Sequence, residues 1–234
     1  MVDGTALTVV LLQGAIFGLF LVAVRRRDTA AATNALGSFV LALLPVVVEL
    51  AAPAMLARSV SFGPVLGLWL STAGFLHSLG MLGLYESTWW WDHLTHTLSA
   101  ALVAALLYAA LIVAFSKTAG LADSRGTIAA LTVTCTFVVG VFWELLELVA
   151  RDVGERLDVE PVLVHYGWRD TVADLGFDVV GAVVVLGIDL RVLVPVVEQF
   201  PGVVEAILVG SGLLIVGGSV LMAVFVSLGE SMQP

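Results

Sequence analysis

Long apolar stretches separated by short polar interruptions run along the whole chain. A helix needs about 20 predominantly apolar residues to cross the hydrocarbon core of a bilayer. Stretches of this length lie at about residues 5–24, 35–57, 63–85, 93–114, 127–149, 171–194 and 203–227. The pattern therefore predicts an all-α fold, a polytopic transmembrane helix bundle with about seven spans, which forms a single integral membrane domain over residues 1–234.

Two of the interruptions are short and contain or adjoin proline. Pro64 follows the interruption at residues 57–63, and Pro195 and Pro201 lie within the one at residues 194–203. Proline breaks a helix, but neither place adds a long polar loop. Six or eight spans therefore remain alternatives to seven.

The composition agrees with a chain that lies in a membrane. Hydrophobic residues make up 60% of the sequence and charged residues 12%, and the mean hydropathy is +1.07. Such a chain cannot present a mainly polar surface to water, so we predict an integral membrane protein with lipids as its partners. Cys135 is the only cysteine, which excludes a disulfide framework and a cysteine zinc site.

The residues that flank the first apolar stretch indicate its orientation. No basic residue precedes the stretch and three arginines follow it, so we predict a membrane span and not a signal peptide. The side that holds these arginines carries Arg25, Arg26, Arg27, Arg151, Arg156 and Arg169, and the opposite side carries Arg58, Lys117, Arg125 and Arg191. Because basic residues accumulate in cytoplasmic loops, the N-terminus is predicted outside and the C-terminus in the cytoplasm.

The net charge is −9, and Lys117 is the only lysine. Both features bear on the salt concentration at which the protein is expected to work. Acidic, lysine-poor surfaces are typical of proteins that stay soluble where salt screens charge strongly, so we expect a haloarchaeal source. No basic patch is present, and nucleic acid is therefore not an expected partner.

Pairs of small residues at helical spacing predict close contacts between helices. Such positions are Gly14 and Gly18, Gly63 and Gly67, and Gly210, Gly212, Gly217 and Gly218. Glycine at this spacing lets two helix backbones approach each other. We interpret these faces as contacts within the bundle, with a homo-oligomer as the alternative.

Five ionisable residues lie inside or at the edge of apolar stretches, and they form the candidate site. They are Asp92, His96, Glu144, Asp174 and Asp178. A charge in the hydrocarbon layer costs at least about 2.5 kcal/mol, so such residues indicate function. Successive spans alternate in direction, and the start of the fourth, the end of the fifth and the start of the sixth span therefore lie at one depth, near the cytoplasmic surface.

The spacing of these residues suggests their chemistry. Asp92 and His96 are four residues apart and share one helix face, as do Asp174 and Asp178. Carboxylates gathered in a low dielectric cannot all ionise without a cation or a shared proton. The five residues are therefore candidate catalytic groups and candidate ligands of a divalent cation, either Mg²⁺ or Mn²⁺, or Zn²⁺ because a histidine is present.

Several of the polar residues also have structural interpretations. Asp92 and Asp170 stand where a helix N-cap is expected. Glu147 is spaced to pair with Arg151 one turn later. More isolated groups that we interpret as core, supporting or interfacial residues are Glu49, His77 and Asp189.

The ordered motifs D-H-x-x-H, W-E-x-x-E and D-x-x-x-D-x-x-G-A carry a resemblance that covers about residues 85–185. Their positions are Asp92, His96, Glu144, Asp174, Asp178, Gly181 and Ala182. This part of the chain resembles the YjdF-type inner-membrane protein family and, more distantly, the VanZ-like membrane proteins. The resemblance implies a helical membrane protein with an acid and a histidine at one helix start and a glutamate on the next helix.

Three functions are compatible with this pattern. The first is an enzyme that uses a metal ion or acid–base groups on a lipid or lipid-linked substrate, and the second is a small proton- or cation-coupled transporter. The third is a polar network with a purely structural role. The ionisable groups cluster at one depth and do not form a path across the membrane, which favours the enzyme. No HExxH, GxSxG or Walker motif occurs.

Overall fold

The structure, a computed structural model, describes residues 4–116, 125–157, 161–163 and 167–231, and Lys117 lies outside these ranges. All regular elements within them are helical, which confirms the predicted all-α class. The helices are α1 Gly4–Arg26, α2 Thr29–Leu56, α3 Gly63–Leu79, α4 Tyr85–Ser87, α5 Trp91–Phe115, α6 Arg125–Leu157, α7 Trp168–Gly187, α8 Val194–Val197 and α9 Val204–Ser231, and a π-helical turn Gly80–Leu84 joins α3 to α4.

Six helical segments in the described ranges are long and apolar enough to cross a membrane. They are Gly4–Arg26, Thr29–Leu56, Gly63–Ser87, Trp91–Phe115, Arg125–Leu157 and Val204–Ser227. α7 is 20 residues long, but its first eleven residues carry one arginine and three aspartates. The polytopic helical bundle is confirmed, and α7 differs from the other long helices by its charge.

Among the long helical segments, three predicted boundaries differ from those in the structure by six residues or more. α2 begins at Thr29 and not at residue 35, because Asp28 caps it by accepting a hydrogen bond from Ala31 N at 2.8 Å. α6 continues to Leu157 and not to 149. Two ion pairs between residues four apart accompany this extension, Arg151 with Glu155 and Arg156 with Asp152.

The third difference is the end of α7, which stops at Gly187 and not at residue 194. Asp189 adopts a left-handed φ of 50°, and the amide of Asp189 donates to Leu186 O while that of Leu190 donates to Val185 O. These two bonds form a Schellman motif, which closes the helix and satisfies its last carbonyls. An apolar run alone does not reveal this stop.

Contacts along the chain divide it into two compact units, Met1–Thr95 and His96–Pro234. The single domain over residues 1–234 stays a prediction. In the first unit α1, α2 and α3 pack on one another. Val9 lies against Gly67 and Ile16 against Gly74, so α1 and α3 run parallel.

In the second unit α6 packs against both α7 and α9. α5 contributes a buried face made largely of Ala100, Ala101, Ala104, Ala105 and Ala109. A Cβ added at Gly181 of α7 would lie 2.5 Å from Thr97 O and 2.9 Å from Ala101 N. The absence of a side chain at Gly181 therefore lets the backbones of α5 and α7 meet.

The glycine faces only partly agree with the predicted bundle contacts. Gly67 packs against Val9, and Gly218 packs against Phe142. A Cβ added at Gly14, Gly18, Gly63, Gly210, Gly212 or Gly217 would meet nothing described within 4 Å. The assignment of those six glycines to close contacts inside the bundle was therefore wrong, and the homo-oligomer stays a prediction.

Buried hydroxyl groups on α3 show two different situations. Ser78 Oγ donates to Gly74 O at 2.7 Å, which is the usual bond of a serine inside a membrane helix. Ser71 is fully buried, yet its Oγ has no hydrogen-bond partner among the described residues. An unpaired buried hydroxyl is a net cost to folding.

We expect Ser71→Ala to leave the free energy of unfolding unchanged or to raise it, because the substitution removes an unpaired polar group. Ser78→Ala removes a satisfied hydrogen bond on the same helix and should be the less stable variant by about 1 kcal/mol. Denaturant unfolding in detergent measures both. Equal stability of the two variants would contradict this account of Ser71.

The turn after α7 carries a polar cluster that predicts a pH dependence. Asp189 Oδ1 accepts hydrogen bonds from Arg191 Nε at 2.8 Å and from the Tyr108 hydroxyl at 2.5 Å. These bonds, that of Arg191 first, hold the pKa of the Asp189 carboxyl below its usual value. A carboxyl whose pKa is lower in the folded protein adds stability above its unfolded pKa of about 3.9, and this stability is lost as pH falls through the folded pKa.

Asp189→Asn should therefore lower the thermal midpoint at neutral pH. Its difference from the wild type should shrink at about pH 3, because below about pH 3.9 the carboxyl of the unfolded chain takes up a proton. Thermal unfolding in detergent at the two pH values tests this. As a control, Arg191→Gln should weaken the same pH dependence. A constant difference between wild type and Asp189→Asn would show that the charge of Asp189 is not the cause.

Candidate functional site

The centre of the candidate site is a contact between the first turns of α5 and the middle of α7. His96 Nδ1 lies 3.2 Å from Asp178 Oδ1. Both residues are buried, with 7% of His96 and 5% of Asp178 exposed. A neutral imidazole or an imidazolium can occupy this place, and in either form the contact compensates part of the cost of burying the carboxylate.

Asp174 lies one helical turn before Asp178 on α7 and is 2% exposed. One of its carboxylate oxygens and a ring nitrogen of His96 lie within 4.8 Å of each other. The spacing of four residues therefore brings both aspartates of α7 to the face that meets His96.

Glu144 on α6 adds a third carboxylate, and it is 4% exposed. The Thr171 side chain of α7 is close enough to its carboxylate to act as a hydrogen-bonding neighbour, and His96 and Asp178 interact with it electrostatically. Although Thr171 is the nearby hydroxyl on α7, neither Glu144 Oε1 nor Thr171 Oγ1 has a hydrogen-bond partner of normal geometry within the described ranges. Two buried polar atoms that face the cluster are thus unsatisfied, which is uncommon in a folded protein.

Gly140 is a site residue that sequence reasoning missed. A Cβ added there would overlap Asp178 Oδ2, and it would lie 3.1 Å from Leu175 Cδ2. The bare backbone of α6 therefore makes the space in which the Asp178 carboxylate lies. The signal was present in the sequence, because Gly140 lies one helical turn before Glu144 and thus on the same face of α6.

A family model matches residues 7–194, and its family is described as "Predicted membrane protein (DUF2238)". The chain belongs to this family. The matched range includes all five predicted site residues and ends before α9. Comparison with curated proteins and with solved structures gave no match.

The fifth predicted residue of this DUF2238 protein, Asp92, lies in the first turn of α5. The helix begins at Trp91, so Asp92 is inside it and the N-cap interpretation was wrong. Thr95 Oγ1 donates to Asp92 O at 2.8 Å. Asp92 precedes His96 by four residues on one continuous helix, which places the two residues on the same face of α5.

Asp170 and Glu147 were interpreted from the sequence as a helix cap and as a partner of Arg151. Asp170 lies in the first turn of α7 and is not its N-cap, which is Gly167. Glu147 accepts a hydrogen bond from Trp143 Nε1 at 2.9 Å, while the neighbouring Arg151 lies 3.8 Å from Glu155. Each of these two residues therefore contacts another residue, and the Glu147–Arg151 pair itself stays a prediction.

In the first unit, the two isolated polar groups are also satisfied. Glu49 Oε1 accepts a hydrogen bond from Phe62 N at 2.6 Å, which holds the loop before α3. His77 Nδ1 and the Tyr85 hydroxyl lie 2.6 Å apart, across the π-helical turn. Both contacts agree with the interpretation of Glu49 and His77 as core or supporting groups.

The buried cluster of the DUF2238 chain, defined as His96, Glu144, Asp174 and Asp178, combines one imidazole with three carboxylates. These groups can ligate a divalent cation, or they can hold protons in common and act as acid and base. Arginine and lysine are not among the four residues, so within the buried cluster itself only His96 can carry a positive charge.

Gly140→Ala should disturb the cluster through packing alone. The new methyl group would overlap Asp178 Oδ2, so we expect a loss of about 1–3 kcal/mol in the free energy of unfolding. Gly126→Ala on the same helix is the matched control, because a Cβ at Gly126 meets nothing described within 4 Å. Similar stability of the two variants in denaturant unfolding would contradict the close approach of α6 and Asp178.

Proposed function

We propose that this DUF2238 protein is a membrane enzyme that acts on a lipid headgroup or a lipid-linked substrate. In this proposal, the buried cluster binds a divalent cation or supplies the acid and the base. The observation that carries the proposal is the unsatisfied carboxylate oxygen of Glu144, which is buried beside His96 and Asp178. A structural network gains stability only when its members are satisfied, whereas a ligand site leaves an atom for the ligand.

The charges of the cluster support a cation. His96 can compensate at most one of the three carboxylates. Taking an ion out of water costs several kcal/mol even after the protein has relaxed. A divalent cation compensates two negative charges at once and offers each carboxylate oxygen a ligand bond, and Asp92 on the same face of α5 is a further proposed ligand.

The proposed substrate follows from the position of the cluster along its helices. Trp143, one residue before Glu144 on α6, and Trp168, the first residue of α7, are exposed, and tryptophan is enriched at the level of lipid headgroups. The distribution of basic residues supports a cytoplasmic location for the end of α6 and the start of α7, with the N-terminus outside. A metal ion at headgroup depth can polarise an ester or phosphoester bond of a lipid.

The resemblance to YjdF-type proteins, and more distantly to VanZ-like proteins, belongs to this proposal because its motif positions include the whole buried cluster. We also propose a haloarchaeal source from the net charge of −9. The alternative function, a proton- or cation-coupled transporter, uses the same groups as an ion relay. The metal content and the ion flux of the protein separate the two functions.

We expect the purified protein to retain about one divalent ion per chain, and Glu144→Gln to lose it because the variant removes a carboxylate ligand. Mass-spectrometric metal analysis after desalting in detergent measures the content. Glu147→Gln is the matched control, since Glu147 lies one turn away on α6 and its amide can still accept from Trp143 Nε1.

An ion in wild type and in Glu147→Gln, but not in Glu144→Gln, supports a metal-dependent site. Proton flux into liposomes that depends on Glu144, with no bound metal, would favour the transporter. If the protein holds no metal and Glu144→Gln only increases stability, then the cluster is structural and the proposed enzyme is wrong.

A further inference from the structure

Thr171, the fourth residue of α7, carries a buried hydroxyl that its own helix does not satisfy. A threonine inside a helix often donates to the carbonyl four residues earlier. Five other threonines in the described helices do so at 2.8–2.9 Å, namely Thr8, Thr33, Thr72, Thr132 and Thr136. Thr171 Oγ1, in contrast, has no hydrogen-bond partner among the described residues.

The N-terminus of α7 explains this exception. The carbonyl four residues before Thr171 belongs to Gly167, the N-cap of the helix. Gly167 O already accepts two backbone hydrogen bonds, from Asp170 N at 3.0 Å and from Thr171 N at 3.1 Å. A carbonyl oxygen has two lone pairs, so none is left for the Thr171 hydroxyl. A partner for this hydroxyl is therefore expected from outside α7.

Glu144 of α6 is the group that approaches the Thr171 hydroxyl from outside α7. The two side chains are hydrogen-bonding neighbours. Even so, Glu144 Oε1 and Thr171 Oγ1 are each buried without a hydrogen bond of normal geometry within the described ranges. One water molecule satisfies both oxygens, because it can donate to the carboxylate and accept from the hydroxyl.

We propose that Glu144 Oε1 and Thr171 Oγ1 together bind one water molecule, and that this water is the nucleophile of the reaction. This inference rests on the proposed function in one respect, namely that the substrate is an ester or phosphoester of a lipid. Thr171 thereby joins the site as a positioning residue. The reaction is then a hydrolysis and not a transfer to another alcohol.

The reaction consumes only water and the lipid. The water oxygen forms a bond to the carbonyl carbon or the phosphorus atom, and one of its protons passes to Glu144 Oε1. The bond from the same carbon or phosphorus atom to the leaving oxygen breaks, and that oxygen takes the proton from Glu144. Because Thr171 engages only one lone pair of the water oxygen, the other stays available for the attack.

A structure of the wild-type protein at a resolution that shows ordered water tests the binding site without any variant. We expect one water oxygen within about 3.2 Å of both Glu144 Oε1 and Thr171 Oγ1. The inference is overturned by a direct hydrogen bond between the two side chains, by a cation on Glu144 Oε1, or by the lack of an ordered water there.

Two substitutions of Thr171 test its role in hydrolysis, with a panel of diacyl phospholipids in detergent micelles as the probe. Thr171→Val keeps the shape of the side chain and removes the hydroxyl. It should lower kcat by about 10–100-fold with little change in KM, because the attacking water is no longer held in place. Thr171→Ser keeps the hydroxyl and should restore most of the wild-type kcat. Thr136→Val is the matched control and should leave kcat unchanged, since Thr136 donates within its own helix.

The outcomes separate this inference from the proposed function. When the reaction runs in water labelled with heavy oxygen, one labelled atom should enter the acid or phosphate product. Hydrolysis that is lost in Glu144→Gln but unchanged in Thr171→Val would overturn the positioning role of Thr171 and leave the proposed enzyme in place. An ordered water at the site without hydrolysis of any phospholipid in the panel would overturn both the nucleophile and the proposed enzyme, and the water would be structural.

Discussion

The hydrogen bond between His96 and Asp178 joins two helices at a depth where water does not compete for either group. Around it, α5 and α7 run parallel, since contacts follow in the same order along both helices. After His96 and Asp178, Gly181 of α7 lies against Thr97 and Ala101 of α5. Beyond the C-terminal end of α7, Asp189 accepts a hydrogen bond from Tyr108 of α5. The pair of helices is thus held by polar contacts at both ends and by a close backbone approach between them.

The direction of α6 completes this arrangement. Gly140 lies against Asp178, and Glu144, one turn later on α6, lies near Thr171, which precedes Asp178 on α7. α6 therefore runs antiparallel to α7. Since the bare Gly140 backbone makes room for one carboxylate and Glu144 supplies another, the same short segment both packs the helices and builds the cluster.

The other buried hydroxyl groups of α6 behave differently from the cluster. Thr132 and Thr136 donate to the carbonyls four residues earlier, at Ile128 and Thr132, both at 2.8 Å. Such bonds satisfy a polar side chain inside its own helix and need no partner elsewhere. A carboxylate has no donor to give to those carbonyls, so Glu144 must find a donor, a proton or a cation outside its helix. Glu144 therefore differs physically from the polar residues that a membrane helix satisfies by itself.

The sequence by itself determined the helical membrane class and most of the long helices, and it predicted the five residues of the candidate site, because the length of an apolar run and the cost of a charge within it are local properties. It did not reveal the end of α7, since the left-handed turn at Asp189 is not visible in hydrophobicity. Only the tertiary structure decided that His96 faces Asp178 and that Asp178 packs against Gly140. His96 and Asp178 are 82 residues apart in the chain, and the fit of Asp178 against Gly140 depends on how closely α6 and α7 approach. No spacing within a single helix carries that information.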